Sequence, residues 1–307
     1  MKKQKWTTAN IPDLTEKVII VTGGNSGLGY ESVKAFAEKG AEVILTSRSV
    51  KKGEAAKKEI GKVKGKIEVM QLDLQDFASI EQFAEQFQQK HSRLDVLLNN
   101  AGIMQTPYFK TKDGLEGQMG VNHFGHYKLT GLLMDLIKTT PKSRVVSMSS
   151  AGHKYKQAKM DFDNLLFENG KDYTPMKGYC RSKLANLLFI YELDRMFKEN
   201  NIDSIAVAAH PGGANTNLGQ HVEDKLMWKI MLRFFSFLVQ EPPQGALPEI
   251  RACVDENVNG AEYYGPDGLM EMKGNPEIVK SSKDSHNKEY ARKLWEISEK
   301  LTGINYL

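Results

Sequence analysis

Tyr179 and Lys183 stand four residues apart in the run Tyr179-Cys180-Arg181-Ser182-Lys183, inside a stretch (178–197) with helical periodicity. Residues four apart share a helix face, so an ammonium can lie beside a phenol. A free phenol has a pKa of about 10, and a neighbouring ammonium favours the phenolate and lowers that value. A phenol tuned in this way suits proton exchange with an alcohol or ketone oxygen. A serine hydroxyl can polarise the same oxygen, and the pair Ser149-Ser150 follows a predicted strand at 143–148. Cys180 points away from Tyr179 on the helix and is read as a packing residue.

A second stretch brings different chemistry. The apolar run Val18-Ile19-Ile20-Val21 reads as a buried strand. Thr22-Gly23-Gly24-Asn25-Ser26-Gly27-Leu28-Gly29 follows at once, then a helix with Tyr30, Val33, Phe36 and Ala37 as its expected inner face. Strand, glycine loop and helix in this order suit a dinucleotide pyrophosphate. Glycines allow a tight turn and close backbone approach, and the helix N-terminus offers N–H groups and positive partial charge. Gly23, Asn25, Ser26, Gly27, Leu28 and Gly29 are the candidate residues, in the spacing T-G-x-x-x-G-x-G.

The elements that must position these groups alternate. Strands are predicted at 41–46, 66–71, 94–98, 143–148 and 203–208, and helices at 51–60, 77–87, 115–137 and 178–197. Alternation of this kind gives βαβ units and a parallel sheet, here a doubly wound Rossmann-type α/β fold. With no repeat, low-complexity linker or composition break, residues 1–307 read as one domain. Two stretches fall outside the alternation, 153–177 and 215–243. Long loops after strand carboxyl ends are where ligands bind in such sheets.

Composition narrows the function classes. The 307 residues are 40% hydrophobic, and 42 basic residues face 38 acidic ones, a net charge of +4. No basic stripe with interleaved aromatics points to nucleic acid. Cys180 and Cys253 lack metal or redox spacing, which fits a reducing cytoplasm. The basic start at Lys2, Lys3 and Lys5 is not followed by an apolar signal region, and no apolar run is long enough to span a bilayer. His123 and His126 have no third ligand nearby and read as packing, so no metal is expected.

Together these motifs resemble the short-chain dehydrogenase/reductase superfamily over about residues 17–301. Val121-Asn122-His123-Phe124-Gly125-His126, Tyr179 to Asn186 and Leu294-Trp295-Glu296-Ile297-Ser298 are similar to the retinol dehydrogenase and WW-domain oxidoreductase branch. The resemblance implies Tyr179 as acid/base, and Lys183 as the lysine that tunes it and holds the nicotinamide ribose. It implies that Ser150 positions the substrate oxygen, with Ser149 the weaker candidate. Asn122 would bend a helix and anchor a proton-relay water. Asn99, Ala101 and Gly102 would lie over the adenosine ribose, Asp73 and Leu74 near adenine, and Pro211, Gly212 and Thr216 at the carboxamide. The spacing from Ser150 to Tyr179 exceeds the family's usual one, which marks 153–177 as an insertion. The resemblance also suggests a homodimer or homotetramer, with a small-molecule carbonyl or alcohol as substrate.

The second predicted strand ends in Thr46-Ser47-Arg48 with no carboxylate to hold ribose hydroxyls. Ser47 can donate to a 2′-phosphate and Arg48 can pair with it, with Asn25 adding a polar contact. NADP(H) is therefore favoured over NAD(H). The expected function is hydride exchange between nicotinamide and an apolar carbonyl or alcohol. The alternative is a catalytically weak cofactor-binding regulatory or scaffold protein. Residues 226–239 read as a helix with 11 apolar residues of 14, interrupted by Lys229, Arg233 and Ser236. A substrate lid is the favoured reading there, against permanent core or peripheral membrane contact.

Overall fold

The computed structural model of the chain describes residues 5–213 and 240–306. Thr216 and the expected lid helix at 226–239 lie outside the described residues. Among the described residues, eight strands form one sheet in the order β3-β2-β1-β4-β5-β6-β7-β8. The strands are β1 (Val18–Val21), β2 (Glu42–Ser47), β3 (Lys66–Gln71), β4 (Val96–Asn99), β5 (Ser143–Met148), β6 (Ser204–Ala209), β7 (Tyr263–Pro266) and β8 (Pro276–Ile278). All neighbours pair in parallel except β7 and β8. Strand order reverses between β1 and β4, so the crevice at their carboxyl ends is the natural ligand site of a doubly wound sheet.

Helices cover both faces. Along β1, Ile19 and Val21 pack into one core while Val18 and Ile20 pack into the other, which is why that strand is apolar throughout. The helices before β5 are α1 (Gly27–Glu38), α2 (Val50–Ile60), α3 (Phe77–Lys90), α4 (Gly117–Met119), α5 (Gly125–Leu132) and α6 (Met134–Thr139). Then come α7 (Pro175–Glu199), α8 (Pro242–Gly245), α9 (Leu247–Val254) and α10 (Lys288–Thr302). No helix among the described residues is long and apolar enough to cross a membrane. Most inner-face residues expected for α1 are buried, but Tyr30 only partly.

Two helices depart from the sequence reading for local reasons. The long helix expected at 115–137 is divided, with a π-turn at Gly120–Phe124 between α4 and α5 and a further break at Leu133. Asn122 sits in that π-turn, and its side chain takes over a neighbouring loop: Oδ1 accepts from Ile103 N at 2.8 Å, and Nδ2 donates to Ile103 O at 2.9 Å. In the other case α7 begins three residues earlier than expected. Thr174 accepts from Lys177 N as N-cap and Pro175 fills the first turn, where its missing N–H costs nothing.

Between β5 and α7 the chain runs through four short 3-10 turns, Ala151–Lys154, Lys156–Ala158, Phe162–Asn164 and Glu168–Gly170. Arg181 of α7 ties this stretch down. Its Nη1 donates to Asn164 O at 2.7 Å and Leu165 O at 2.9 Å, and its guanidinium lies 4.0 Å from the Phe167 ring centre.

One buried charge-bearing group gives a stability prediction. Glu249 of α9 is fully buried, and Ser32 of α1 donates to its Oε1 at 2.6 Å. Burial raises its carboxyl from 4.5 to about 8. The folded pKa lies above the unfolded one, so the neutral acid's contribution is complete below pH 4.5 and is lost as pH rises through 8. Glu249→Gln, which cannot ionise, should therefore raise stability near pH 8 by on the order of a few kcal/mol and change it little near pH 4.5. Thermal midpoints at the two pH values check this; an equal difference at both would contradict it.

Candidate active site

A cavity of about 280 Å³ opens at the carboxyl ends of β1, β4 and β5. Its floor is the glycine loop, with Gly23, Asn25, Ser26, Gly27 and Leu28 in the lining. Gly29 lies behind, where a Cβ would come within 2.6 Å of Gly23 O and 2.5 Å of Asn100 Nδ2. Only glycine allows that approach of helix to loop. Ser26 is the N-cap of α1 but makes no side-chain capping bond. The leading N–H groups of α1 are thus left open toward the cleft, with the positive end of the helix dipole behind them. An uncapped helix start and a close-packed glycine turn fit the pyrophosphate of a dinucleotide.

Across the cleft, Tyr179 and Lys183 of α7 line the wall together with Met148, Ser149 and Pro211. Lys183 Nζ donates to Met148 O at 3.1 Å and stands 5.7 Å from the Tyr179 ring centre. The two serines divide in role. Ser149 Oγ is committed to Lys183 O at 2.9 Å, whereas Ser150 Oγ accepts from Gly152 N at 3.2 Å and stands beside the Tyr179 ring, the two lying 3.6 Å and 3.5 Å from where a Gly152 Cβ would sit. The expected lowering of the phenol is not found. Burial pushes Tyr179 up to about 12, with the nearby Ser150 hydroxyl opposing it, and burial brings Lys183 down to about 8. The ammonium is spent on a carbonyl and is itself desolvated, so it does not offset the loss of water around the phenol.

Other candidates fall into place around this pair. Ala101 and Gly102 line the cleft, and Asn122 lies directly under Gly102, where a Cβ would be 3.2 Å from Asn122 Oδ1 and 3.5 Å from Lys183 Nζ. Asn122 Nδ2 also donates to Ser182 Oγ at 2.9 Å, and its carbonyl accepts from His126 Nδ1 at 3.1 Å. Asn99 is not brought to the cleft. It is the last residue of β4, buried, with Nδ2 donating to Thr130 Oγ1 at 3.1 Å. Its neighbour Asn100 lines the cleft instead and donates to Thr22 O at 2.7 Å.

Ser47 ends β2 with Arg48 just past it, and Asp73 follows β3, so these three stand at the carboxyl edge of the sheet beyond the glycine loop. Gly24 N donates to Thr46 O at 3.0 Å and joins that rim to the loop. Arg48 is exposed and forms no ion pair among the described residues, while Leu74 is buried in the core that takes Val18 and Ile20. Asp73 Oδ1 accepts from Gln75 N at 3.0 Å. Gly212 follows Pro211 at the end of β6.

Sequence reasoning missed Asn100, Ile103, Met104 and Met148, all in the cleft lining. Each lies at or just past the carboxyl end of β4 or β5, and that rule alone would have found them. His126 was read as packing and is buried, but it also joins two loops. Its Nε2 lies 2.9 Å from Thr22 Oγ1, which accepts from Ala101 N at 2.9 Å.

The fold agrees with comparison to known proteins. The model of the short chain dehydrogenase family matches residues 17–161, and the chain belongs to that family of nicotinamide-dependent oxidoreductases acting on alcohols and carbonyls. Within it the chain falls in the retinol dehydrogenase-like branch. It is 39% identical over 297 residues to retinol dehydrogenase 11 of Homo sapiens, covering 95% of this chain and 87% of that one. It is 36% identical over 293 residues to retinol dehydrogenase 13 of Homo sapiens, covering 94% and 85%. A crystal structure of an uncharacterized protein from Mycobacterium paratuberculosis aligns with a TM-score of 0.82 at 34% identity, over 99% of this chain and 100% of that one. The RhlG/NADP active-site complex of Pseudomonas aeruginosa shares the fold, with a TM-score of 0.65 at 18% identity over 82% and 94%.

Proposed function

We propose that this chain is an NADP(H)-preferring oxidoreductase that acts on an apolar carbonyl or alcohol, with Tyr179 moving the proton. One observation carries the reading: Tyr179 and Lys183 line the same cleft as the uncapped start of α1, and Ser150 stands beside the Tyr179 ring. The dinucleotide supplies the hydride when bound. The glycine loop and the α1 N-terminus would hold its pyrophosphate, Lys183 its ribose and Pro211 with Gly212 its carboxamide end; Thr216 belongs to the same proposal. A phenol at about 12 holds its proton at neutral pH, so Tyr179 is poised as the acid that protonates a carbonyl oxygen. Ser150 orients that oxygen, and Asn122 props the loop of Ile103 beneath it.

The preference for the phosphorylated cofactor rests on the β2 rim. It carries no carboxylate, and Arg48 is exposed and unpaired there among the described residues. An apolar substrate is supported by relatives named for retinol, an apolar alcohol. The two buried, unpaired cysteines support a cytoplasmic setting. Purified protein should consume NADPH when given long-chain or polyene aldehydes and should release the matching alcohols. Binding of NADPH without turnover on any aldehyde or ketone would argue against the reading.

A further inference from the structure

Two loops frame the reacting side of the cleft, the turn after β5 that holds Ser150 and the segment after β6 that holds Pro211 and Gly212. Both lean on the connection between β7 and β8, and the first also on the turn just past β8. From the first loop, His153 Nδ1 donates to Ser150 O at 2.6 Å and Nε2 accepts from Ser282 N at 3.1 Å. The next residue, Lys154, places Nζ 2.8 Å from both carboxylate oxygens of Glu271.

From the second loop, His210 Nδ1 accepts from Gly212 N at 3.2 Å, so the ring proton is on Nε2. That nitrogen is fully buried and lies 3.2 Å from Glu271 Oε2, in close approach though not as a well-directed hydrogen bond. Gly265 of β7 lies beneath the ring, where any Cβ would fall into the imidazole. Gly213 N also donates to Met272 O at 2.8 Å. The two imidazoles share one floor, with ring centres 5.5 Å (His153) and 5.0 Å (His210) from Tyr263.

The backbone that aims Glu271 is strained. Met270 and Glu271 have φ of 53° and 55°, consecutive non-glycine residues in the left-handed region. Such strain persists only where surrounding contacts over-determine it, and it gathers at functional sites. Contacts with His210 and Lys154 also hold the Glu271 carboxyl down at about 2, so it is ionised at any working pH.

We propose that Glu271 is a positioning residue: its carboxylate, bridging Lys154 of the serine turn and His210 of the Pro211–Gly212 segment, sets the spacing between the two loops and aligns the nicotinamide end of the dinucleotide. The inference rests on the dinucleotide reading of the cleft. It requires that the adenosine end, held on the far side by the glycine loop and β2 rim, be insensitive to Glu271.

The test compares two ligands by calorimetry. NADPH spans the whole cleft; 2′-phospho-ADP-ribose keeps the adenosine end and pyrophosphate but lacks nicotinamide. Glu271→Gln should weaken NADPH about tenfold, the scale of one lost hydrogen bond, and leave the fragment's affinity as in the wild type. Lys154→Gln, at the exposed end of the bridge, should shift NADPH in the same direction and decides the matter if Glu271→Gln does not fold. Equal weakening of NADPH and fragment, or no change in either, overturns the proposal. Wild-type protein that binds neither ligand overturns the dinucleotide reading and the Glu271 assignment with it.

Discussion

Tyr179→Phe is expected to lower kcat for carbonyl reduction by about two to four orders of magnitude, the contribution of a positioned general acid. The substitution removes only Oη. The ring remains in its buried seat on α7 beside Cys180 and Leu184, so fold and cofactor affinity should hold. The expected loss is large because Tyr179 is the phenol that lines the cleft, and Ser150, which stands beside its ring, can orient an oxygen but cannot replace the proton. Steady-state rates and NADPH dissociation constants for the two proteins separate chemistry from binding. Near-normal turnover in the phenylalanine variant would remove Tyr179 from the mechanism.

Arg48→Ala should weaken NADPH by about 1.5–3 kcal/mol, the range for charge-assisted hydrogen bonds, and leave NADH almost unchanged. Arg48 is exposed just past β2, and its carbonyl is held by Gln71 Nε2 at 3.3 Å, which fixes the backbone and leaves the guanidinium free to pair. Ser47 is buried beside it with Oγ accepting from Ser49 N at 3.3 Å, so its own O–H can still be donated to a phosphate. Parallel titrations of the two cofactors measure the effect. Equal weakening of both, or a wild-type preference for NADH, would contradict the assignment.

Much of the site was legible because it is written in short segments. The glycine loop joins a strand to a helix within one βαβ unit, and Tyr179 and Lys183 share one turn of one helix, so local periodicity was enough to place both. What was not legible depends on contacts between distant segments. The break at Asn122 follows from the family resemblance and not from periodicity: its amide satisfies the backbone of Ile103 from both sides, and no helical pattern records that demand. Asn99 and Asn100 are adjacent, and only the register of β4 decides which one faces the sheet and which the cleft. The raised phenol at Tyr179 is a burial effect, invisible to a rule that saw a neighbouring ammonium. The bridge from Lys154 through Glu271 to His210 draws on three segments that the sheet alone brings together. Thr174-Pro175, by contrast, is a helix start written locally, a capping threonine followed by a proline in the first turn.

The most direct measurement of the central claim is isotope transfer. NADPH carrying deuterium at the hydride position would be incubated with the protein and an apolar aldehyde, and the product examined by mass spectrometry. The expected result is an alcohol bearing one deuteron on the former carbonyl carbon, formed in step with oxidised cofactor and nearly abolished by Tyr179→Phe. Bound NADPH with no labelled alcohol from any aldehyde or ketone offered would contradict the claim and favour a cofactor-binding scaffold on the same fold.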